Sequence, residues 1–182
     1  MKQGDVILQR WRIRVAGRYL PRGAHVLDIG CGTDGALFSI LKDRIGSGIG
    51  VDGDALPDDY GEFRFIRGRA PDDLPAGETF DAITMLAFLE HIPADGQRNI
   101  AEACRTLLNP NGRVICTVPS PKVDDLIQLG KRLRILDGIH EDEHYGFEPS
   151  QTVSLFVDRG FTLHASRRFQ LGLNHVFVFD KV

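Results

Sequence analysis

Carboxylates and glycines are concentrated in one ten-residue stretch of this chain, Val26-Leu27-Asp28-Ile29-Gly30-Cys31-Gly32-Thr33-Asp34-Gly35. The apolar residues around Asp28 read as a buried strand, the glycines as a tight turn, and Ala36, Leu37, Ile40 and Leu41 as the opening of a helix. Glycine is required where the backbone turns with positive φ or where a ligand must approach without a Cβ in the way. The following helix start offers unpaired N–H groups, so a carboxylate or phosphate is expected there. Asp28 places an acid at the carboxyl end of the strand, where open α/β sheets bind ligands.

Gly30-x-Gly32-x-x-Gly35 has the spacing of a dinucleotide fingerprint, and Asp52 ends the next apolar run where a ribose-binding acid belongs. Asp28 argues against a pyrophosphate, which a nearby carboxylate repels, and for a ligand carrying an ammonium and a sulfonium. Cys31 inside the turn fits by its small size. Further along, Glu90 and His91 end the apolar run Phe80–Leu86 and its loop, and His140-Glu141-Asp142-Glu143-His144 matches the H-E-x-x-H zinc pattern. The latter needs a continuous helix and a third ligand, whereas Gly138, Gly146 and Pro149 flank it, so no metal site is expected. Arg10, Arg14 and Arg18 recur every four residues, with Lys131, Arg132 and Arg134 later; a solvated face is the default and an anionic acceptor the alternative.

The elements that must position these groups alternate between the two periodicities. A helix is expected over 5–20 with Ile7, Leu8, Trp11, Val15 and Tyr19 along one side and Trp11 in the core. Strands are expected over 25–29, 47–51, 63–67, 80–86 and 113–118, with Gly48 and Gly50 where a helix packs closely. Helices are expected over 94–108 and 150–159, the latter stopped by Gly160. Residues 161–169 and 175–180 are joined too briefly for a crossover helix and should pair antiparallel. The one long irregular stretch is 119–149.

Asp28-x-Gly30-x-Gly32 after a strand, Asp52 ending the next one, the Leu89-Glu90-His91-Ile92 ending and Arg105-Thr106-Leu107-Leu108-Asn109-Pro110-Asn111-Gly112 together resemble the class I S-adenosylmethionine-dependent methyltransferases, of the type 11/23-like kind, over about residues 24–180. The resemblance implies an α/β fold: a Rossmann-like, mostly parallel seven-stranded sheet with helices on both faces and a C-terminal antiparallel hairpin. It implies S-adenosyl-L-methionine as cofactor, held by Asp28, Gly30, Cys31, Gly32, Asp52, Gly53, Arg69, Ala70, Met85 and Leu86. Arg69 stands where the family often has an acid near the adenine, so adenine contact is expected from the backbone of Arg69 and Ala70 or from stacking of Arg69. Residues 1–22 form an N-terminal helix and 119–149 an acceptor-side lid within one domain, 1–182. His144, then His91, are the candidate general bases for a small-molecule acceptor, one that is anionic, a lipid or a sugar among the options. An inactive methyltransferase-like binding module and a nicotinamide-dependent oxidoreductase are the alternatives.

Composition is that of an ordinary globular chain: 182 residues, 42% hydrophobic, 26% charged, net charge −3. That balance gives no electrostatic reason to expect nucleic acid. No apolar run reaches membrane-spanning length and no secretory signal is read at the start. Three scattered cysteines fit reduced thiols, and a cytoplasmic location is expected.

Overall fold

The computed structural model describes residues 3–54, 56–120 and 149–182. Helix α1 (Gln3–Gly17) leads into β1 (Ala24–Ile29), α2 (Ala36–Leu41), β2 (Ile45–Asp52), β3 (Phe63–Arg67) and β4 (Phe80–Leu86). A 3-10 turn (Leu89–His91), α3 (Ala94–Leu107) and β5 (Leu108–Pro119) follow. Helix α4 (Pro149–Val157), β6 (Phe161–Phe169) and β7 (Asn174–Lys181) complete the chain. The seven strands form one sheet in the order β3-β2-β1-β4-β5-β7-β6. Strands β1 to β5 pair in parallel, and β7 runs antiparallel to both β5 and β6. The expected architecture is therefore the observed one.

Strand order reverses at β1, which has β2 on one side and β4 on the other. Crossovers leave that point in opposite directions, so a crevice opens at the carboxyl ends of β1 and β4. Apolar residues cover the sheet on two sides. Leu27, Ile83, Cys116 and Phe179 belong to the core cluster that includes Phe156 of α4, and Val26, Ala82, Ile115 and Val178 to the one beneath α1 and α2. Gly48 makes the second layer possible: a Cβ there would lie 2.4 Å from Cε1 of Phe38, so α2 could not settle onto β2.

Two expectations need correction. On α1, Ile13, Val15 and Ala16 are buried, whereas Ile7 (64% exposed), Leu8 (43%) and Trp11 (43%) are not. The helix packs on only part of the sheet, and Arg12 lies between the buried positions and the exposed ones. Strand β5 also begins at Leu108 rather than Arg113. Phe80 pairs with Leu108 and Ala82 with Arg113, so the Asn109–Gly112 turn is looped out of a ladder that resumes beyond it. Asn109 Nδ2 donates to Asp81 Oδ1 at 2.9 Å, which pins the loop to β4.

Candidate functional site

The turn from β1 to α2 is built from glycines that carry positive φ: Gly30 (76°), Gly32 (69°) and Gly35 (52°). At Gly30 the demand is double. A Cβ would also lie 2.4 Å from Cδ2 of Phe88, so this position needs both the conformation and the missing side chain. The Gly30 amide donates to the Val51 carbonyl at 2.8 Å, tying the turn to β2.

Asp52 holds the turn from the other side. Its Oδ2 accepts from the Gly32 amide at 2.9 Å and its Oδ1 from the Asp54 amide at 3.1 Å. Asp28 is 3% exposed and accepts a 2.6 Å hydrogen bond from Thr84 Oγ1 of β4. Burial pushes its carboxyl up to about 7, opposed by the Thr84 bond and reinforced by the charges of Asp52 and Asp34. A cation arriving beside such an acid favours its ionised form.

Two cavities open at this point. One, of about 270 Å³, is lined by Gly30, Asp52, Gly53, Arg69, Ala70, Phe88 and Ile92, among others. Its walls are the glycine turn, the end of β2 and the apolar residues after β4. Asp52 supplies the carboxylate at one end, and Phe88 and Ile92 the apolar side chains. The other, of about 80 Å³, lies between α1 and the turn, against Gln9, Arg12, Asp28, Gly30, Gly32 and Leu86, with Cys31 also in its lining.

Arg12 is the residue that sequence reasoning missed. Its Nε is buried with no hydrogen-bond partner among the described residues, as is Oε2 of Glu90, and the two charges attract each other. Burial pushes Glu90 up to about 7 and lowers Arg12. A lone arginine inside the buried stripe of α1 was the available signal; the evenly spaced Arg10, Arg14 and Arg18 obscured it. Phe88, Ile92 and Thr84 were also missed, although each lies in or next to the strand-four motif.

The anion expected at the first turn of α2 meets competition there. The Ala36 amide already donates to Oδ1 of Asp34 at 3.3 Å. Arg12 is the cation among the residues lining the small cavity. Of the other expected residues, Leu86 lines the small cavity, while Arg69, though exposed, and Ala70 line the large one. Met85 is fully buried and lines neither: it packs in the same core cluster as Ile29 and Val51 of the large cavity's wall, without reaching the cavity itself. The Cys31 thiol is raised by burial first and then by Asp28 and Asp52, so it stays protonated. His91 is exposed at the end of the 3-10 turn, next to Ile92 of the large cavity. His140, Glu143 and His144 lie outside the described residues, as does most of 119–149.

Residues 2–166 match the family model described as a methyltransferase domain. A ubiquinone biosynthesis O-methyltransferase from Xanthomonas axonopodis pv. citri is 34% identical over 55% of this chain and 45% of its own length. The chain thus spans about half the length of the curated relatives it matches. A solved 1,6-didemethyltoxoflavin-N1-methyltransferase from Burkholderia thailandensis, with S-adenosylhomocysteine bound, superposes with a TM-score of 0.73 at 23% identity, over 98% of this chain and 81% of that one. A TehB-like S-adenosylmethionine-dependent methyltransferase from Corynebacterium glutamicum does so with a TM-score of 0.69 at 20% identity, over 98% and 97%. At these identities the two structures speak for the fold. The family model covers most of the chain, and the strand order, the antiparallel β7 and the glycine turn agree with it rather than with the oxidoreductase alternative: the chain belongs to the class I S-adenosylmethionine-dependent methyltransferases.

Proposed function

We propose that this chain transfers a methyl group from S-adenosylmethionine to a small-molecule acceptor. The observation that carries the reading is the pairing of two cavities on one glycine turn, with an acid for a ribose in one and an acid and an arginine for an amino acid in the other. The residues fit the cofactor on three counts: Gly30 leaves a cradle that a Cβ would fill, Arg12 Nε is orphaned, and Asp28 is a buried acid suited to a cation. When bound, the cofactor supplies an activated methyl group on a sulfonium.

The chain's own part is to bind and orient. Asp52 accepts hydrogen bonds from the ribose hydroxyls while keeping the Gly32 amide in place. Phe88, Ile92, Arg69 and Ala70 would hold the adenine. Asp28 meets the ammonium and Arg12 the carboxylate. Alignment and exclusion of water carry most of the rate in such a displacement. A base is needed only where the acceptor must lose a proton; His144 and His91 are the proposed candidates. The similarity to a ubiquinone biosynthesis O-methyltransferase makes phenolic hydroxyls the first acceptors to screen.

Isothermal titration with S-adenosylmethionine tests the reading. Saturable binding that weakens in Asp28→Ala and Asp52→Ala supports it, and no heat at several hundred micromolar cofactor sinks it. A radiolabelled methyl-transfer screen over phenols, sugars, lipids and carboxylates then separates an enzyme from a binding module that has kept only the donor site.

A further inference from the structure

The largest of the three cavities described, about 410 Å³, is not at the donor turn. It lies between α1 and the connection from β6 to β7, lined by Trp11, Arg18, Arg167, Arg168, Phe169 and Leu171, among others. Helix α1 separates it from the donor site. Arg12 and Ile13 face the small donor cavity, whereas Trp11 and Val15 face the groove.

Its chemistry is specific. Arg18, Arg167 and Arg168 are exposed, and none has a carboxylate partner among the described residues. Three guanidinium groups without a carboxylate partner among the described residues repel one another on one groove, in a chain whose net charge is −3. An arginine fork is suited to a carboxylate or phosphate. Between the charges the surface is apolar: Val15 and Phe169 are buried beneath it, Trp11 is 43% exposed and Leu171 96% exposed.

The connection is also held in a costly shape. Gln170 and Leu171 both have positive φ, 51° and 58°, which residues with a Cβ rarely adopt. Gln170 fixes it, donating from Nε2 to the Leu8 carbonyl at 2.8 Å and accepting at Oε1 from Asn174 Nδ2 at 2.6 Å. The result is a hydrogen-bonded rim that presents Leu171 to solvent instead of burying it.

We propose that this groove is a binding site for an amphiphilic organic anion, a phosphate or carboxylate on an apolar body, separate from the donor cavity. The arginines meet the charge, and Trp11 with Leu171 covers the apolar part. A concave groove bounded by two elements suits a discrete molecule better than a flat membrane surface. The site goes beyond methyl transfer and stands without it.

Trp11 is the chain's single tryptophan, so its fluorescence reports on the groove directly. Monomeric octyl phosphate should change it saturably below about 1 mM, an affinity modest enough for one small ligand. The double variant Arg18→Ala/Arg167→Ala should weaken that binding about tenfold or more, since hydrogen bonds to charged groups are the strong ones. Unchanged S-adenosylmethionine affinity in the variant shows that it is folded; should the wild type not bind that cofactor, far-UV circular dichroism serves, and the groove is judged on its own. Octanol and inorganic phosphate should each bind at least several-fold more weakly. No saturable change with octyl phosphate overturns the proposal, as does equal binding of octanol or an unaffected double variant. A response confined to phosphatidylglycerol vesicles, absent with monomer and with phosphatidylcholine vesicles, overturns it in favour of a membrane surface.

Discussion

The donor site and the arginine groove lie on neighbouring faces of α1 and treat charge in opposite ways. On the donor side the charge is buried and mixed, with Arg12 among the acids: Asp28 and Glu90 are each 3% exposed and each pushed up to about 7. In the groove it is positive and exposed, on arginines without carboxylate partners among the described residues. Desolvation governs the first, so it should respond to protons; Coulomb attraction through water governs the second, so it should respond to salt. One helix thus serves two sites that separate experiments can address.

Breaking the donor side alone gives the largest effect. Gly30→Ala puts a Cβ 2.4 Å from Phe88 on a residue with a φ of 76°, so the turn and the cavity wall cannot both persist. We expect S-adenosylmethionine affinity to fall by more than about 100-fold, a loss of about 3 kcal/mol or more by titration calorimetry, because strain and overpacking add. Octyl phosphate binding to the groove should change little. Asp52→Ala comes next. It removes the acceptor for the ribose and frees the Gly32 amide, for an expected loss of about 10- to 50-fold in donor affinity.

Much of this comparison can be read from the chain before any coordinates. The glycine spacing, Asp28 and Asp52 mark the donor turn because they answer local needs: positive φ, close approach and an acid at a strand end. The antiparallel hairpin is legible because Gln170–Asn174 is too short to cross over. What stays hidden depends on contacts across elements. Arg12 becomes a candidate site residue only when α1 packs against α2, β4 and β5, 18 residues before Gly30 along the chain, and nothing in its spacing says so. Trp11 looks like a core residue by type, yet it is 43% exposed and faces the groove against the end of β6 rather than the core cluster beneath α1. Phe88 matters through the one atom position that Gly30 leaves free. Met85 shows the converse, a residue in a motif whose side chain is buried in the core.

The proton response of the donor side follows from Asp28. Its folded value of about 7 lies above the ordinary 3.8, so the stability it contributes is full below about pH 4 and is lost as pH rises to about 7. The apo protein should therefore melt lower at pH 8 than at pH 5.5 by scanning calorimetry, with Glu90 acting in the same direction. A bound ammonium reverses the preference by favouring the ionised acid. Donor affinity should rise between pH 6 and pH 8 by up to about tenfold per titrating carboxyl and then level off. Asp28→Asn should flatten its share of both trends, raising the apo melting temperature at pH 8 while weakening the donor. A pH-independent donor affinity in the wild type would mean that Asp28 does not face the cation.

Salt gives the smallest effect and the sharpest separation of the two faces. At about 0.05 M ionic strength screening acts over roughly 14 Å, and at about 0.5 M over roughly 4 Å, which weakens exposed guanidinium–anion attraction far more than contacts already stripped of water. Octyl phosphate affinity should fall about three- to fivefold across that range while S-adenosylmethionine affinity shifts by less than about twofold. Replacing Arg168 with alanine should reduce the salt dependence at the groove and leave the donor side as it was. His175 lies beside Arg168, and its proton affinity is lowered by burial and then by that positive charge, so the same variant should let it hold a proton to higher pH. Its imidazole resonance by NMR would report this. A donor site as salt-sensitive as the groove would show that the two faces share one field, and the division of charge across α1 would have to be abandoned.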